Sequence, residues 1–234
     1  MYYRKAWNKG VSQYIGLDEK MHSKGILKKM PRTKMGEANR DSSTDKVEQI
    51  LQGAMQEFLK HGYAGTSMDK VATGAGVSKA TVYSHFRDKE RLFKALIEKL
   101  ARKKFQLIFG TEPLEGDPEV VIRDLPAKAL SIMINDEEYR AFMRVLVGES
   151  GRFPELAEFW VSCSMQPTIS ILSKYLTVHP ELKIADPEAT ARIMVGSIVH
   201  FMIIQETLHG KNIMPMDSKR LTDCLANLIL GSRE

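Results

Sequence analysis

Cysteine is scarce in this chain of 234 residues. Cys163 and Cys224 are too few and too far apart for a disulfide framework or a zinc site, and we expect two reduced, buried thiols. No uninterrupted apolar run of about 18 residues occurs, so no transmembrane helix is expected. The first residues also lack the apolar run of a signal peptide. Together these absences predict a cytoplasmic protein without a membrane partner.

Alternating β-branched runs bounded by turns are absent too, so no strand is predicted. The first helix is predicted from a capping box of Asp45 and Glu48 to a stop at Gly62. Two short helices follow, capped by Ser67 and Ser78, and a longer one begins at Lys89. Further helical periodicity extends over 119–134, 137–147, 154–177, 187–208 and 217–231. The fold is predicted to be all-α, with about nine helices.

Charge is unevenly placed along the chain, which has a net charge of +5. Residues 1–40 hold 10 basic and 3 acidic side chains, so the rest of the chain is slightly acidic. Because residues 1–42 are polar and show no sustained apolar period, we interpret them as a basic flexible N-terminal extension. It is either a solvated tail or an arm that reaches nucleic acid. Met30 or Met35 could also begin the natural protein, which would exclude residues 1–34.

Catalytic patterns are missing. The six histidines never pair with another ligand at metal-binding spacing. Near-matches to a dinucleotide fingerprint at 74–79 and to a nucleophile elbow at 148–152 lack their last glycine and the strand that should precede them. We therefore predict a protein that is not an enzyme and that needs neither a metal nor a cofactor.

Thr66 to Lys89 form the most informative stretch, because two short capped helices joined by a glycine-containing turn are typical of a helix-turn-helix. On the second helix Val82 should face inward. Lys79, Ala80, Thr81, Tyr83 and Ser84 should face outward, and they include no acidic group that phosphates would repel. Such a helix can enter a major groove. A helical corner whose polar residues merely face water fits the same pattern.

A resemblance to a known family covers about residues 45–96. The stretches that carry it are Ile50 to Phe58, Gly62-Tyr63-Ala64-Gly65-Thr66-Ser67-Met68, Val71-Ala72, Ala75-Gly76-Val77-Ser78-Lys79-Ala80-Thr81-Val82-Tyr83-Ser84-His85-Phe86 and Lys89-Glu90-Arg91-Leu92-Phe93. In order and spacing they closely resemble the TetR (TetR/AcrR) family of transcriptional regulators. The resemblance implies a homodimer with a DNA-binding domain at 43–88 and a ligand-binding and dimerisation domain at 89–234.

The resemblance also implies a role for each matching residue. Lys79, Ala80 and Thr81 correspond to the base-facing start of the recognition helix, which Ser78 caps. The residues that correspond to sugar–phosphate contacts are Thr66, Ser67, Tyr83, His85 and Lys89. Ser84 departs from the family pattern, since relatives often carry a bulky aromatic residue or another histidine there.

A dimer interface is predicted on the last two helices. From Ile193 to Ile204 nine of twelve residues are apolar, so this helix either fills a core or also packs on a partner protomer. With the amphipathic last helix it resembles the paired face through which the family dimerises. The predicted interface residues are Met194, Ile198, Met202, Leu221, Leu225 and Leu228. A purely intramolecular core is the alternative.

Aromatic residues and methionines between 105 and 175 are candidates for an apolar ligand pocket. The predicted lining residues are Phe105, Met133, Phe142, Met143, Phe159 and Trp160, with Tyr139, Met165 and Tyr175 as further candidates. The same side chains could equally fill an ordinary core.

The function predicted from these patterns is a ligand-responsive transcriptional repressor. As a homodimer it would bind a near-palindromic operator in double-stranded DNA, and an unknown small-molecule effector would release it. The alternatives are a helical enzyme or adaptor without operator binding, and a non-specific DNA-binding protein.

Overall fold

The computed structural model describes residues 35–231, with side chains from Asp45 onward. These residues form nine helices and no strand, which confirms the all-α prediction. The first six are α1 (Met35–Gly65), α2 (Met68–Gly74), α3 (Lys79–His85), α4 (Lys89–Phe109), α5 (Pro118–Ile134) and α6 (Glu137–Glu149). In α7 a π-helical turn at Val161–Met165 joins Pro154–Trp160 to Gln166–Thr177, and in α8 Pro187–Phe201 continues into a π-helical turn at Met202–Thr207. The last helix is α9 (Ser218–Leu230).

The start of α1 differs from the sequence prediction. The helix begins at Met35, so Asp45 lies inside it and the predicted capping box with Glu48 is wrong. Glu48 instead forms an ion pair with Lys99 on α4. Residues 35–42 of the predicted flexible extension are therefore helical, and residues 1–34 lie outside the described residues. The predicted stop at Gly62 is a sharp kink, where φ is 69° and ψ is 176°.

The other helix starts follow local capping rules. A side-chain oxygen at the N-cap accepts a backbone N–H of the first turn in seven helices, which satisfies one of the donors left free there. The capping residues are Ser67, Ser78, Asp88, Asp117, Asp136, Asp186 and Asp217. Helix α7 begins at Pro154 without such a bond, and proline tolerates this position because its missing N–H would be unpaired anyway.

An aromatic core joins the N-terminal helices to the rest of the chain. Phe58 on α1 meets Phe93 on α4 edge to face at a centroid distance of 4.8 Å, and Phe93 stacks on Phe142 of α6 at 5.1 Å. Phe159 of α7 belongs to the same cluster. A second core, which includes Ile122, lies between α5, α7, α8 and α9. Helix α4 therefore connects the helix-turn-helix to the C-terminal bundle.

Helix α8 has nearly the bounds that the sequence predicted, 187–208. Pro187–Thr207 spans 21 residues and contains an 18-residue window with a mean hydropathy of 1.2, so by length and composition alone it could cross a membrane. Polar and charged residues interrupt the helix, so it holds no uninterrupted apolar run of about 18 residues, and one helix of this kind does not indicate a membrane protein. Ala191, Met194 and Ile198 are buried against the rest of the chain. Core helices of globular proteins have the same composition.

Candidate nucleic-acid interface and effector cavity

The turn between α2 and α3 is held tightly against α1. Gly76 has a φ of +64°, a left-handed conformation that favours glycine. A Cβ placed on Gly53 of α1 would lie 2.6 Å from the backbone of Ala75, so only glycine allows this close approach. The Gln49 side chain donates from Nε2 to the Ala75 carbonyl oxygen at 2.7 Å. These contacts fix the angle at which α3 leaves the bundle.

Helix α3 presents one face to solvent, as predicted. Val82 is fully buried, whereas Ala80 and Tyr83 are exposed. Ser78 caps the helix by accepting the Thr81 N–H at 3.0 Å, and the two hydroxyls lie 2.8 Å apart. The start of α3 thus carries small polar groups, and the described residues leave it exposed.

Lys79 is paired with a residue that the sequence reasoning missed. Its Nζ lies 2.8 Å from an Asp69 carboxylate oxygen on α2 and 5.9 Å from the Tyr83 ring centroid. Both members of the ion pair are exposed, and the hydrogen bond to Asp69 raises the pKa of Lys79. The surface around the start of α3 therefore carries the Asp69 carboxylate, which comes from α2 and so could not be predicted from the residues of α3 alone. Its only signal in the sequence is its place two residues after the Ser67 cap.

Ser67 and Thr66 take opposite orientations. Ser67 is exposed and accepts the Lys70 N–H at 3.3 Å, so its hydroxyl lies on the surface at the start of α2. Thr66 is only 3% exposed, and its hydroxyl donates inward to the carbonyl oxygen of Gly62 at 2.8 Å. The predicted phosphate contact of the Thr66 side chain is therefore wrong, because the kink after α1 already uses its hydroxyl.

Lys89 and His85 lie at the edge of this surface, and both are half-buried. The Lys89 ammonium donates to the carbonyl oxygens of Tyr63 at 2.7 Å and Thr66 at 3.0 Å, and it lies 4.5 Å from the Tyr63 ring centroid. Burial lowers the pKa of Lys89, although Glu149 opposes the shift. The ammonium thus caps carbonyl oxygens at the C-terminal end of α1. The phosphate contact that the family resemblance implies for Lys89 stays a prediction.

An apolar cavity lies among α4, α5, α6, α7 and α8. Phe105 and Met133 line it as predicted, and so do Tyr139 and Met165. The sequence reasoning missed Lys104, since a lysine on an amphipathic helix is normally assumed to face water. Lys104 is 6% exposed, and its Nζ lies 2.7 Å from Asp136 Oδ2 and 4.9 Å from the Tyr139 ring centroid.

The other predicted pocket residues do not line this cavity. Phe142 and Phe159 are buried in the aromatic core, and Met143 and Trp160 pack against the same core. Their assignment to the pocket was wrong, because they lie on the faces of α6 and α7 that meet the aromatic core. Tyr175 is also a core residue, and its hydroxyl donates to the Gly116 carbonyl oxygen at 3.0 Å.

Most of the predicted dimer interface lies inside the protomer. The buried residues, none of which is more than 8% exposed, are Met194, Ile198, Met202 and Leu225. Leu221 is half-buried against Ile198 and its neighbours. Leu228 alone among the six is clearly on the surface, where it is 76% exposed. On α8 the exposed apolar residues are Ile193 and Ile203, on the face opposite to the predicted one.

Two family models match the chain. The model for bacterial regulatory proteins of the tetR family covers residues 50–96, and the model for the C-terminal domain of AefR-like transcriptional repressors covers residues 125–225. Together they account for more than half of the sequence.

The chain belongs to the TetR family. Among its TetR-family relatives is YhgD of Bacillus subtilis, an HTH-type transcriptional regulator that is 27% identical over 190 residues, or 78% of this chain and 94% of YhgD. The HTH-type transcriptional repressor AcnR of Corynebacterium glutamicum is 34% identical over 74 residues, which is 32% of this chain and 39% of AcnR. The solved structure of the flavonoid-responsive regulator FrrA has a TM-score of 0.65 at 26% identity and covers 82% of this chain and 100% of FrrA.

Family membership confirms the central prediction from the sequence: the chain is a helix-turn-helix, ligand-responsive transcriptional regulator with a C-terminal domain of the repressor type. TetR-family proteins bind operator DNA and small-molecule effectors as dimers. Among the described residues no group of three or more His, Cys, Asp or Glu could hold a metal ion.

Proposed function

We propose that this chain is a cytoplasmic repressor that binds a near-palindromic operator as a homodimer and is released by a small apolar effector. The observation that carries the proposal is the exposed start of α3, which α1 holds in position through Gly53 and Gln49. In this proposal residues 43–88 bind DNA, and residues 89–234 bind the effector and the partner protomer. The proposed DNA-contacting side chains are Ser67, Ser78, Lys79, Ala80, Thr81, Tyr83, His85 and Lys89.

The first turn of α3 would recognise the base sequence of the operator. Lysine and hydroxyl side chains donate to base-edge acceptors in the major groove, and a small residue such as Ala80 allows a thymine methyl group to approach. Tyr83 and Ser67 would position the helix by contacts to the sugar–phosphate backbone, which carry no sequence information of their own. Two such helices related by two-fold symmetry select a palindrome.

The homodimer in this proposal uses the surface that α8 and α9 leave uncovered. Ile193, Ile203 and Leu228 are 61%, 45% and 76% exposed. Large apolar side chains exposed on two helices that contact each other favour a protein interface. The relative named as a flavonoid-responsive regulator supports a small organic effector for the cavity.

Operator selection from a random DNA pool, followed by gel retardation, tests the proposal. We expect the selected operator to bind at least about 10³-fold more tightly than random DNA. Lys79→Ala should weaken operator binding, whereas Lys219→Ala, which changes an exposed lysine on α9, should not. A ratio near one for operator against random DNA would contradict the proposal, because it indicates binding to the phosphate backbone alone.

A further inference from the structure

One end of the effector cavity carries two polar side chains in walls that are otherwise almost entirely apolar. Lys104 on α4 and Tyr139 on α6 meet there, with the Lys104 Nζ 4.9 Å from the Tyr139 ring centroid. Both side chains are more than nine-tenths buried. The remaining side-chain hydroxyls in the lining, Ser164 and Thr168, lie one helical turn apart on α7. Polar groups this few in an apolar cavity fix the orientation of a ligand.

The Tyr139 hydroxyl is unsatisfied. Tyr139 is 5% exposed, and no described residue forms a hydrogen bond with its hydroxyl. Burial, and secondarily the charge of Asp136, raises the pKa of Tyr139 to about 12, so the hydroxyl keeps its proton at neutral pH. A buried hydroxyl without a partner is costly, and native proteins rarely contain one without a reason. A ligand oxygen in the cavity would satisfy it.

Lys104 has donor capacity left as well. An ammonium has three N–H donors. One reaches Asp136 Oδ2 at 2.7 Å, and a second makes a long contact of 3.4 Å with the Ile132 carbonyl oxygen. Asp136 is held in place because it also caps α6 by accepting the Tyr139 N–H at 2.9 Å. The ammonium is therefore fixed at the cavity wall over the Tyr139 ring, and its three N–H donors exceed the two oxygen acceptors among the described residues.

The charges at this end of the cavity determine whether the ligand oxygen that accepts these hydrogen bonds is neutral or charged. Asp136 already compensates the charge of Lys104, which is the one charged residue among the described residues of the lining, and the further cation that acts on Asp136 is the exposed Lys103. A ligand carboxylate would therefore add a second negative charge without a second cation in the cavity wall. A neutral oxygen would accept from both donors without this repulsion. The apolar remainder of the lining, including Phe105, Leu125 and Met194, suits a hydrocarbon or aromatic body.

We propose that Lys104 and Tyr139 anchor the effector by its neutral oxygen, so that the effector is an uncharged, apolar molecule with a phenolic hydroxyl or a carbonyl group at one end. The inference rests on the proposed function, since it assigns a ligand class to the effector cavity. It adds a chemical specificity that neither the shape nor the apolar lining of the cavity supplies.

Three probes of nearly equal shape test this inference by calorimetry on the whole protein without DNA: 4-phenylphenol, 4-methylbiphenyl and biphenyl-4-carboxylate. We expect 4-phenylphenol to bind about tenfold or more tightly than either of the others, as a hydrogen bond from a charged donor predicts. Tyr139→Phe and Lys104→Met should each remove most of this preference. Lys103→Met changes an exposed neighbour on the same helix and should leave the preference intact.

Tyr139→Phe also shows whether a loss of ligand preference is caused by a loss of folding. Because its hydroxyl has no protein partner, its removal should not lower the melting temperature. Equal affinities for the three probes, tightest binding of the carboxylate, no binding of 4-phenylphenol, or a preference unchanged in both variants would overturn the inference. Preferential binding of 4-phenylphenol without release of operator DNA would support the anchor and count against the effector role, so the two failures are distinguishable.

Discussion

Glu149, the last residue of α6, accepts the backbone N–H of Ala64 through Oε1 at 3.1 Å. The bond connects the C-terminal bundle to the segment that leads from α1 into the helix-turn-helix. A Cβ on Gly62 would approach the same Oε1 to 3.0 Å, so the carboxylate fits closely into the kink. Phe153, just beyond α6, packs edge to face on Tyr63 at a centroid distance of 4.6 Å. A displacement of α6 would therefore act directly on the start of α2.

Glu149→Ala should destabilise the protein and weaken operator binding. The substitution removes an exposed hydrogen bond whose N–H water can then reach, at a cost of about 0.5–1.5 kcal/mol. For a chain of this size, each kcal/mol lowers the melting temperature by about 2–4 °C. Glu149→Gln keeps a side-chain oxygen that can accept the N–H and should retain most of the stability. Thermal unfolding of both variants checks this, and equal losses in the two would argue against the hydrogen bond.

Lys79 and Asp69 should have opposite effects on DNA binding. Lys79→Ala removes a donor from the start of α3, which we propose faces the bases, and should cost about 1–3 kcal/mol at particular operator positions. Asp69→Asn removes a negative charge next to Lys79, so binding should tighten on all sequences and the salt dependence should change little. Affinities for the operator and its point variants at several salt concentrations measure both. Weaker binding by Asp69→Asn would mean that the ion pair is needed to orient Lys79.

Gly53 and Gly148 both lie in helices, and replacing each by alanine should change the stability of the protein in opposite directions. In Gly53→Ala the new methyl group would lie 2.6 Å from Ala75, so α1 and the turn must separate. Overpacking of this kind costs about 1–3 kcal/mol. Gly148→Ala meets nothing within 4 Å on α6, and it should stabilise by about 0.5–1 kcal/mol through helix propensity. Chemical denaturation of both variants tests the pair, and a neutral Gly53→Ala would show that the crossing is not tight.

Local features of the site could be predicted from the sequence, because each depends on a few neighbouring residues. Ser67 and Ser78 are caps, Gly76 is the left-handed turn residue, and Val82 is inward. Thr66 was misassigned, since a hydroxyl next to a cap shows no sign of an inward partner nine residues earlier along the chain. Its bond to the Glu57 carbonyl oxygen depends on the kink after α1.

Tertiary contacts were harder to predict, because an apolar residue in the sequence does not show which neighbouring element its side chain packs against. Helix α8 is apolar on most sides, so its periodicity cannot decide whether Ile193 or Ile198 faces the core. Phe105 and Phe142 look alike in the sequence, yet one lines the cavity and the other fills the aromatic core. Lys104 was missed because its burial depends on Asp136, which lies 32 residues further along the chain.

The dimer prediction changes with the observed orientation of α8. Ile193→Asp and Leu228→Asp alter side chains that are 61% and 76% exposed, so the isolated protomer should fold normally. In a dimer built on this face the two-fold axis repeats each change, and unpaired buried charges cost several kcal/mol. Both variants should therefore sediment as helical monomers, with strongly reduced operator affinity because a monomer reads one half-site.

Ile198→Asp is the matched contrast to Ile193→Asp on the same helix. Ile198 is only 8% exposed and packs with Phe201 inside the protomer, so a buried aspartate there should lower the melting temperature sharply. Circular dichroism and sedimentation of the two variants separate the effects, because one face should control folding and the other assembly. If Ile193→Asp and Leu228→Asp both remain dimers that bind the operator, the protomers meet on a different surface.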